Sequence, residues 1–177
     1  YLIGSLAYAD EWPTRPITWV IPYSAGGTSD VLTRIVGQKL SERLGQPVII
    51  ENKGGAGGNL GTDYVARAAP DGYTMVLGNI GPRSVNQSLS KALPYDPEKD
   101  LVPITLLMSY GTAILANLSF EAKTFKELID YAKTHSVNFA GNGIGTSQHL
   151  TGELLARTAG IHLVHIPYRG GPPGLQD

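Results

Sequence analysis

The apolar run Ile17-Thr18-Trp19-Val20-Ile21 passes directly into Pro22-Tyr23-Ser24-Ala25-Gly26-Gly27-Thr28-Ser29-Asp30, and an amphipathic pattern begins at Ser29. This junction limits the possible folds more than any other feature of the chain. A continuous apolar strand needs cover on both faces, as in a parallel sheet flanked by helices. The glycine-hydroxyl loop aims backbone N–H groups and a helix N-terminus at one point, an arrangement that holds anions. Gly143-Ile144-Gly145-Thr146-Ser147 repeats the grammar after a short apolar strand around Phe139 and Ala140, and opens another helix. Two such loops point to a ligand with two acidic ends.

The remaining pattern agrees with an α/β class. Val31, Leu32, Ile35, Val36, Leu40 and Leu44 recur at helical spacing and Gly45 stops the helix. Val48–Ile50 and Thr74–Leu77 read as strands, with a helix over 59–68 between them entered through the glycines at 54, 55, 57 and 58. Strand, loop and helix alternate, which calls for a mostly parallel sheet. After the polar connection 93–100 comes the apolar run Leu101–Met108, and Ala113–Ala116 is a candidate strand passing between two lobes. A capping box, Thr124 with Glu127, opens a helix reaching Thr134. The strand at Phe139, the helix Ser147–Ala159 and the strand Leu163–Ile166 follow. These elements divide the chain into a first lobe over 10–112, a crossing at 113–117 and a second lobe over 118–177, which the sequence leaves incomplete. Residues 1–9, ending in Ala7-Tyr8-Ala9, read as the remnant of a secretory signal. The expected compartment is extracytoplasmic.

Composition excludes several functions. A net charge of −1 in 177 residues gives no basic surface for nucleic acid or an acidic membrane. With no cysteine there is no disulfide, thiolate metal site or cysteine nucleophile. The dinucleotide fingerprint fails, because counting from Gly55 puts Leu60 in the third glycine slot and counting from Gly141 puts Thr146 there. The phosphate loop ending in Gly-Lys-Ser/Thr and the Gly-x-Ser-x-Gly nucleophile elbow are also missing. His162 and His165 fall on opposite faces of a strand and make a poor metal pair. No metal or cofactor is expected.

The candidate ligand contacts are therefore Ser24, Ala25, Gly26, Gly27, Thr28 and Ser29 on the first loop, and Gly145, Thr146, Ser147 and His149 on the second. Asn79 and Arg83, in the loop after the third strand, complete the set, Arg83 being the one cation suitably placed to face the same cleft. Ser29 and Ser147 have a plainer role as helix caps. A neutral His149 in the first turn of its helix has one hydrogen bond to donate, to the ligand or to a neighbouring group. Asp30 is expected to bond back to loop N–H groups and hold the loop's shape, and Tyr168 to be structural near the site. The Gly54–Gly61 stretch reads either as a third anion nest or as a tight connection permitting close packing.

Several phrases in order, Trp12-Pro13-Thr14-Arg15-Pro16-Ile17, Pro22 to Asp30, Leu44-Gly45-Gln46-Pro47-Val48, Glu51 to Asn59, Ala69 to Thr74, Leu93-Pro94-Tyr95-Asp96, Gly143 to Leu150 and His165 to Gly170, resemble the Bug-type receptors of tripartite tricarboxylate transporters. The resemblance implies a two-lobed periplasmic-binding-protein-like clamshell. It implies a monomer that closes on a small organic acid, a di- or tricarboxylate, an acidic amino acid or an aromatic acid, and delivers it to inner-membrane transporter subunits. One carboxylate would sit on the loop matching Ser24 to Ser29 and the other end on the loop matching Gly143 to Ser147. Two alternatives remain open: an enzyme on a carboxylate or acyl substrate with Ser29 or Ser147 as nucleophile and His149 as base, and a binding protein that signals to a regulatory partner.

Overall fold

The computed structural model describes residues 12–177. The expected signal remnant at 1–9 lies outside the described residues. Five strands alternate with helices in two parallel sheets. The first sheet has the order β2-β1-β3, from β1 (Ile17–Ile21), β2 (Val48–Asn52) and β3 (Thr74–Val76). Its register pairs Trp19 with Ile50 and with Met75. The second sheet pairs β4 (Val137–Gly141) with β5 (Leu163–Pro167), Phe139 facing His165. Both sheets have the crossover connectivity that parallel strands require.

Helix α1 (Thr28–Leu44) packs on the β1 and β2 strands and α2 (Asn59–Ala66) on β1 and β3. A wide, π-type helical turn over Gly81–Val85 runs into α3 (Asn86–Leu89), where the sequence reading had only a loop. In the second half come α4 (Phe125–Ala132), α5 (Ser147–Ala159) and the short α6 (Gly171–Gln176). The capping box forms as expected: Glu127 N–H donates to Thr124 Oγ1 at 3.2 Å and Thr124 N–H to Glu127 Oε2 at 3.2 Å. Ile17, Val20 and Ile21 are fully buried, and Ile21, Tyr23 and Leu77 form a cluster against which Ile50, Leu107 and Met108 pack.

Three expectations are corrected. The inward face of α1 is Asp30, Thr33 and Gly37, while Val31 and Ile35 are exposed. A methyl on Gly37 would stand 3.1 Å from Ile50 Cδ1, so the helix is drawn in along its smallest residue, and Asp30 is anchored inward by hydrogen bonds. Ser29 and Ser147 are not the caps: the N-cap positions are Gly27 and Thr146, and neither makes a side-chain cap bond. Ala113–Ala116 forms no strand, since no described strand pairs with it, and its Ile114 and Leu115 are exposed, as are Val102, Ile104 and Leu106 of the preceding apolar run.

Candidate functional site

The first loop leaves β1 at Pro22 and is shaped by Asp30. Gly26, at φ +81°, donates its N–H to Asp30 Oδ2 at 2.9 Å. Asn52 Nδ2 donates to Asp30 Oδ1 at 2.9 Å and to the Tyr23 carbonyl at 3.2 Å. Arg34 Nε reaches both carboxylate oxygens at 3.1 Å, and its Nη2 donates to Asn52 Oδ1. Burial pushes the Asp30 pKa up, but bonds from Arg34, Gly26 and Asn52 outweigh it and hold the carboxyl below its ordinary value. Asp30 is thus the brace the sequence suggests. Sequence reasoning missed its partners Arg34 and Asn52, although the i, i+4 spacing of Asp30 and Arg34 was a readable signal.

With Asp30 turned back into the loop, Ala25, Gly26 and Thr28 are exposed and Ser24, Gly27 and Ser29 half-buried. No side chain caps α1, so the first-turn N–H groups that a helix cannot satisfy internally remain suited to an anion.

The second loop has the same construction from different parts. Gly143 and Gly145 adopt φ of +114° and +81°. Thr146 is buried and its Oγ1 donates to the Gly143 carbonyl at 2.7 Å, so the hydroxyl hydrogen is spent within the loop. Gly145 N–H donates to His149 Nδ1 at 3.2 Å, which leaves the hydrogen of a neutral imidazole on Nε2, 3.7 Å from Glu153 Oε1. Ser147 Oγ donates to Gln148 Oε1 at 3.2 Å. Behind the loop the His149 ring lies 4.5 Å from that of His165, which also packs on Phe139 at 5.0 Å. Burial, then the neighbouring His149, pushes the His165 pKa down.

The two halves meet at these loops. Ser24 N–H donates to the Arg169 carbonyl at 3.0 Å, and the Gly57 backbone lies against that of Gly143 and Ile144. Gly54–Gly61 is accordingly a close-packing connection: Gly58 abuts Pro82 and Tyr23, and Gly61 abuts Pro22 and the Lys53 carbonyl. A cavity of about 520 Å³ runs along the seam, lined by Gly57, Asn86, Leu89, Ile144, Tyr168 and Arg169 among others. Tyr168 is fixed by its N–H to the Gly141 carbonyl at 2.8 Å and its hydroxyl to Asp177 Oδ2 at 2.6 Å.

Arg83 sits on the Gly81–Val85 turn, its N–H bonded to the Asn79 carbonyl at 3.1 Å. Its Nη1 is buried and has no hydrogen-bond partner among the described residues. A buried cationic donor in that state is expensive unless an anion joins it. Tyr95 hydroxyl donates to Asn59 Oδ1, and Asn86 Nδ2 to the same oxygen at 2.7 Å, a buried set that orients Asn86 and that the sequence did not reveal. Among the described residues no group of His, Asp and Glu has the spacing of a metal site.

Known proteins resemble this chain in sequence and fold. The family model for the tripartite tricarboxylate transporter family receptor, TctC, matches residues 32–177. BugT of Bordetella pertussis is 37% identical over 178 residues, 99% of this chain and 55% of its own length. MatC from Rhodopseudomonas palustris, solved with bound malate, superposes with a TM-score of 0.87 at 35% identity, covering 93% of this chain and 57% of that one. An R. palustris protein solved with adipate gives 0.83 at 32% identity, covering 94% and 56%. The chain therefore spans about half the length of the relatives it matches. Its α/β fold with parallel sheets is that of periplasmic binding proteins, and the chain belongs to the tripartite tricarboxylate transporter receptor family.

Proposed function

We propose that the protein is a periplasmic receptor that captures a small organic carboxylate between its two lobes and delivers it to the membrane subunits of a tripartite tricarboxylate-type transporter. The observation that carries this reading is the pair of glycine loops on separate sheets, each running into a helix whose N-terminus lacks a side-chain cap. The first-loop N–H groups not already bonded, those of Ala25, Gly27, Thr28 and Ser29, would take one acidic group with the Ser24 hydroxyl, and the Ser147 N–H and His149 the other. Gly26 and Gly145, whose N–H groups bond to Asp30 and His149, would shape their loops. Thr146 would contribute chiefly by shaping its loop, with Asn79 and Arg83 selecting among ligands. Charge-assisted bonds of this kind are the strong ones, and closure strengthens them by removing water. Malate and adipate on related proteins support the ligand class. The ligand binds as an unaltered molecule, and the protein works as a monomer.

The test is a thermal-shift series on the complete protein with malate, adipate, acidic amino acids and aromatic acids, against neutral sugars and cations. Carboxylates alone should raise Tm. Stabilisation by sugars or cations only would remove the carboxylate reading. Release of the protein by osmotic shock, and loss of carboxylate uptake in cells lacking it, test the compartment and the delivery step.

A further inference from the structure

We propose that Gly81 and Gly170, neither of which needs to touch ligand, set the affinity of the cleft by letting the lobes close backbone against backbone; this rests on the carboxylate-receptor reading above. A methyl placed on Gly81 would stand 2.9 Å from the carbonyl oxygen of Gly145 and 3.3 Å from its carbon. A methyl on Gly170 would stand 3.0 Å from the Ser24 nitrogen and closer still to Ser24 Oγ. Each pair joins the first lobe to the second, and each obstacle includes backbone, which does not swing aside as a long side chain does.

Neither glycine is required by its own backbone. Gly81 lies outside the left-handed region, at the head of the Gly81–Val85 turn, and Gly170 is extended at φ 163°. By contrast Gly57, Gly143 and Gly145 carry positive φ, so a side chain there would strain the loop itself. Within its own lobe the nearest group to a Gly81 methyl is Asn86 Nδ2 at 3.7 Å, an ordinary contact. A methyl at Gly81 therefore penalises only the closed arrangement. In the open protein it should be neutral or stabilising, since alanine restricts the unfolded chain more than glycine does. Ligand that binds the closed form better pulls against that penalty, and measured affinity falls with the closed population.

The experiment uses the complete protein with one cysteine at Leu60 on α2 and one at Leu154 on α5, both exposed, for spin labels; the sequence given contains no other cysteine. Label separation reports closure with and without malate or adipate, and binding kinetics are measured in parallel. The unmodified protein should populate the separation seen in this structure, and more so with ligand. Gly81→Ala and Gly170→Ala should deplete it. Ligand dissociation should speed up about tenfold or more, the scale on which a modest closure penalty acts, with little change in association. The ligand-free Gly81→Ala protein should melt no lower than the parent, which a merely structural role would not give. Gly111→Ala, where a methyl meets nothing within 4 Å, serves as control. Unchanged separations and dissociation in both variants would overturn the proposal. So would an unmodified protein that never reaches the closed separation. If neither acid binds the parent, the carboxylate reading fails by itself and the ligand-free separations decide this one.

Discussion

Asp30 Oδ2 accepts the backbone N–H of Gly26 across 2.9 Å, so the carboxylate beside a proposed anion site faces back into the loop. Asp30→Ala leaves Gly26, Asn52 and Arg34 each short of a partner, and we expect a loss of about 1–3 kcal/mol of stability, the usual range for a lost charged hydrogen bond. Urea denaturation measures it. Because the folded pKa lies below its ordinary 3.8, the stabilisation is complete above that value and is lost as pH falls through the folded pKa. Asp30→Asn should remove this part of the acid dependence. An unchanged midpoint in Asp30→Ala would mean the loop keeps its shape without the brace.

Thr146, the N-cap of α5, and Thr28, the first residue of α1, both stand at a helix start but predict opposite phenotypes. The Thr146 hydroxyl is buried and bonded to the Gly143 carbonyl, whereas Thr28 is exposed at the start of α1. Thr146→Ala should lower stability by about 1–2 kcal/mol, with Thr146→Ser recovering most of it. Thr28→Ala should leave the melting temperature alone and weaken carboxylate binding. Calorimetric titration beside thermal melts separates the two, and equal effects at both sites would contradict the difference in burial.

The contrast marks how far the sequence reaches. Local rules carried α5, whose expected span Ser147–Ala159 is the observed one with Gly160 left-handed after it, and the Thr124–Glu127 box, because caps and periodicity are written in neighbouring residues. The glycine-loop grammar likewise located the segments that meet at the seam. What failed depended on distant contacts. The buried face of α1 turns on Gly37 meeting Ile50 and on Asn52 reaching Asp30, 22 residues away in the chain. Gly81–Leu89 looks like loop because Pro82 and a nearby glycine mask a turn that hydrogen bonds from Tyr95 to the Pro82 carbonyl and from Asn86 to Asn59 support. Ala113–Ala116 is apolar enough for a strand, but a strand exists only when another pairs with it, and none of the described strands does.

His165 gives the second pH dependence. Burial, then the neighbouring His149, holds its folded pKa below the ordinary 6.5. The unfolded chain therefore takes up the proton first as pH falls, so stability declines from near 6.5 down toward the folded value and is unaffected by this group above it. His165→Phe keeps a flat ring against Phe139 and cannot titrate. Denaturation midpoints at several pH values between 5 and 8, roughly the span in which histidine charge changes, should show a shallower slope in the variant. An identical slope would assign the effect to other groups.

Arg83 separates binding from stability most sharply. Its Nη1 is buried with no partner among the described residues, so in the empty protein that donor is a burden. Arg83→Met keeps much of the aliphatic stem and removes the donor, and the ligand-free variant should melt at the parent temperature or above. If the guanidinium meets a ligand carboxylate, the same variant should bind malate or adipate more weakly by about 1–3 kcal/mol. Its affinity should also depend less on salt, because one of the charges screened by ions is gone. A large loss of stability with unaltered affinity would mean that Arg83 supports the Gly81–Val85 turn and takes no part in selecting the acid.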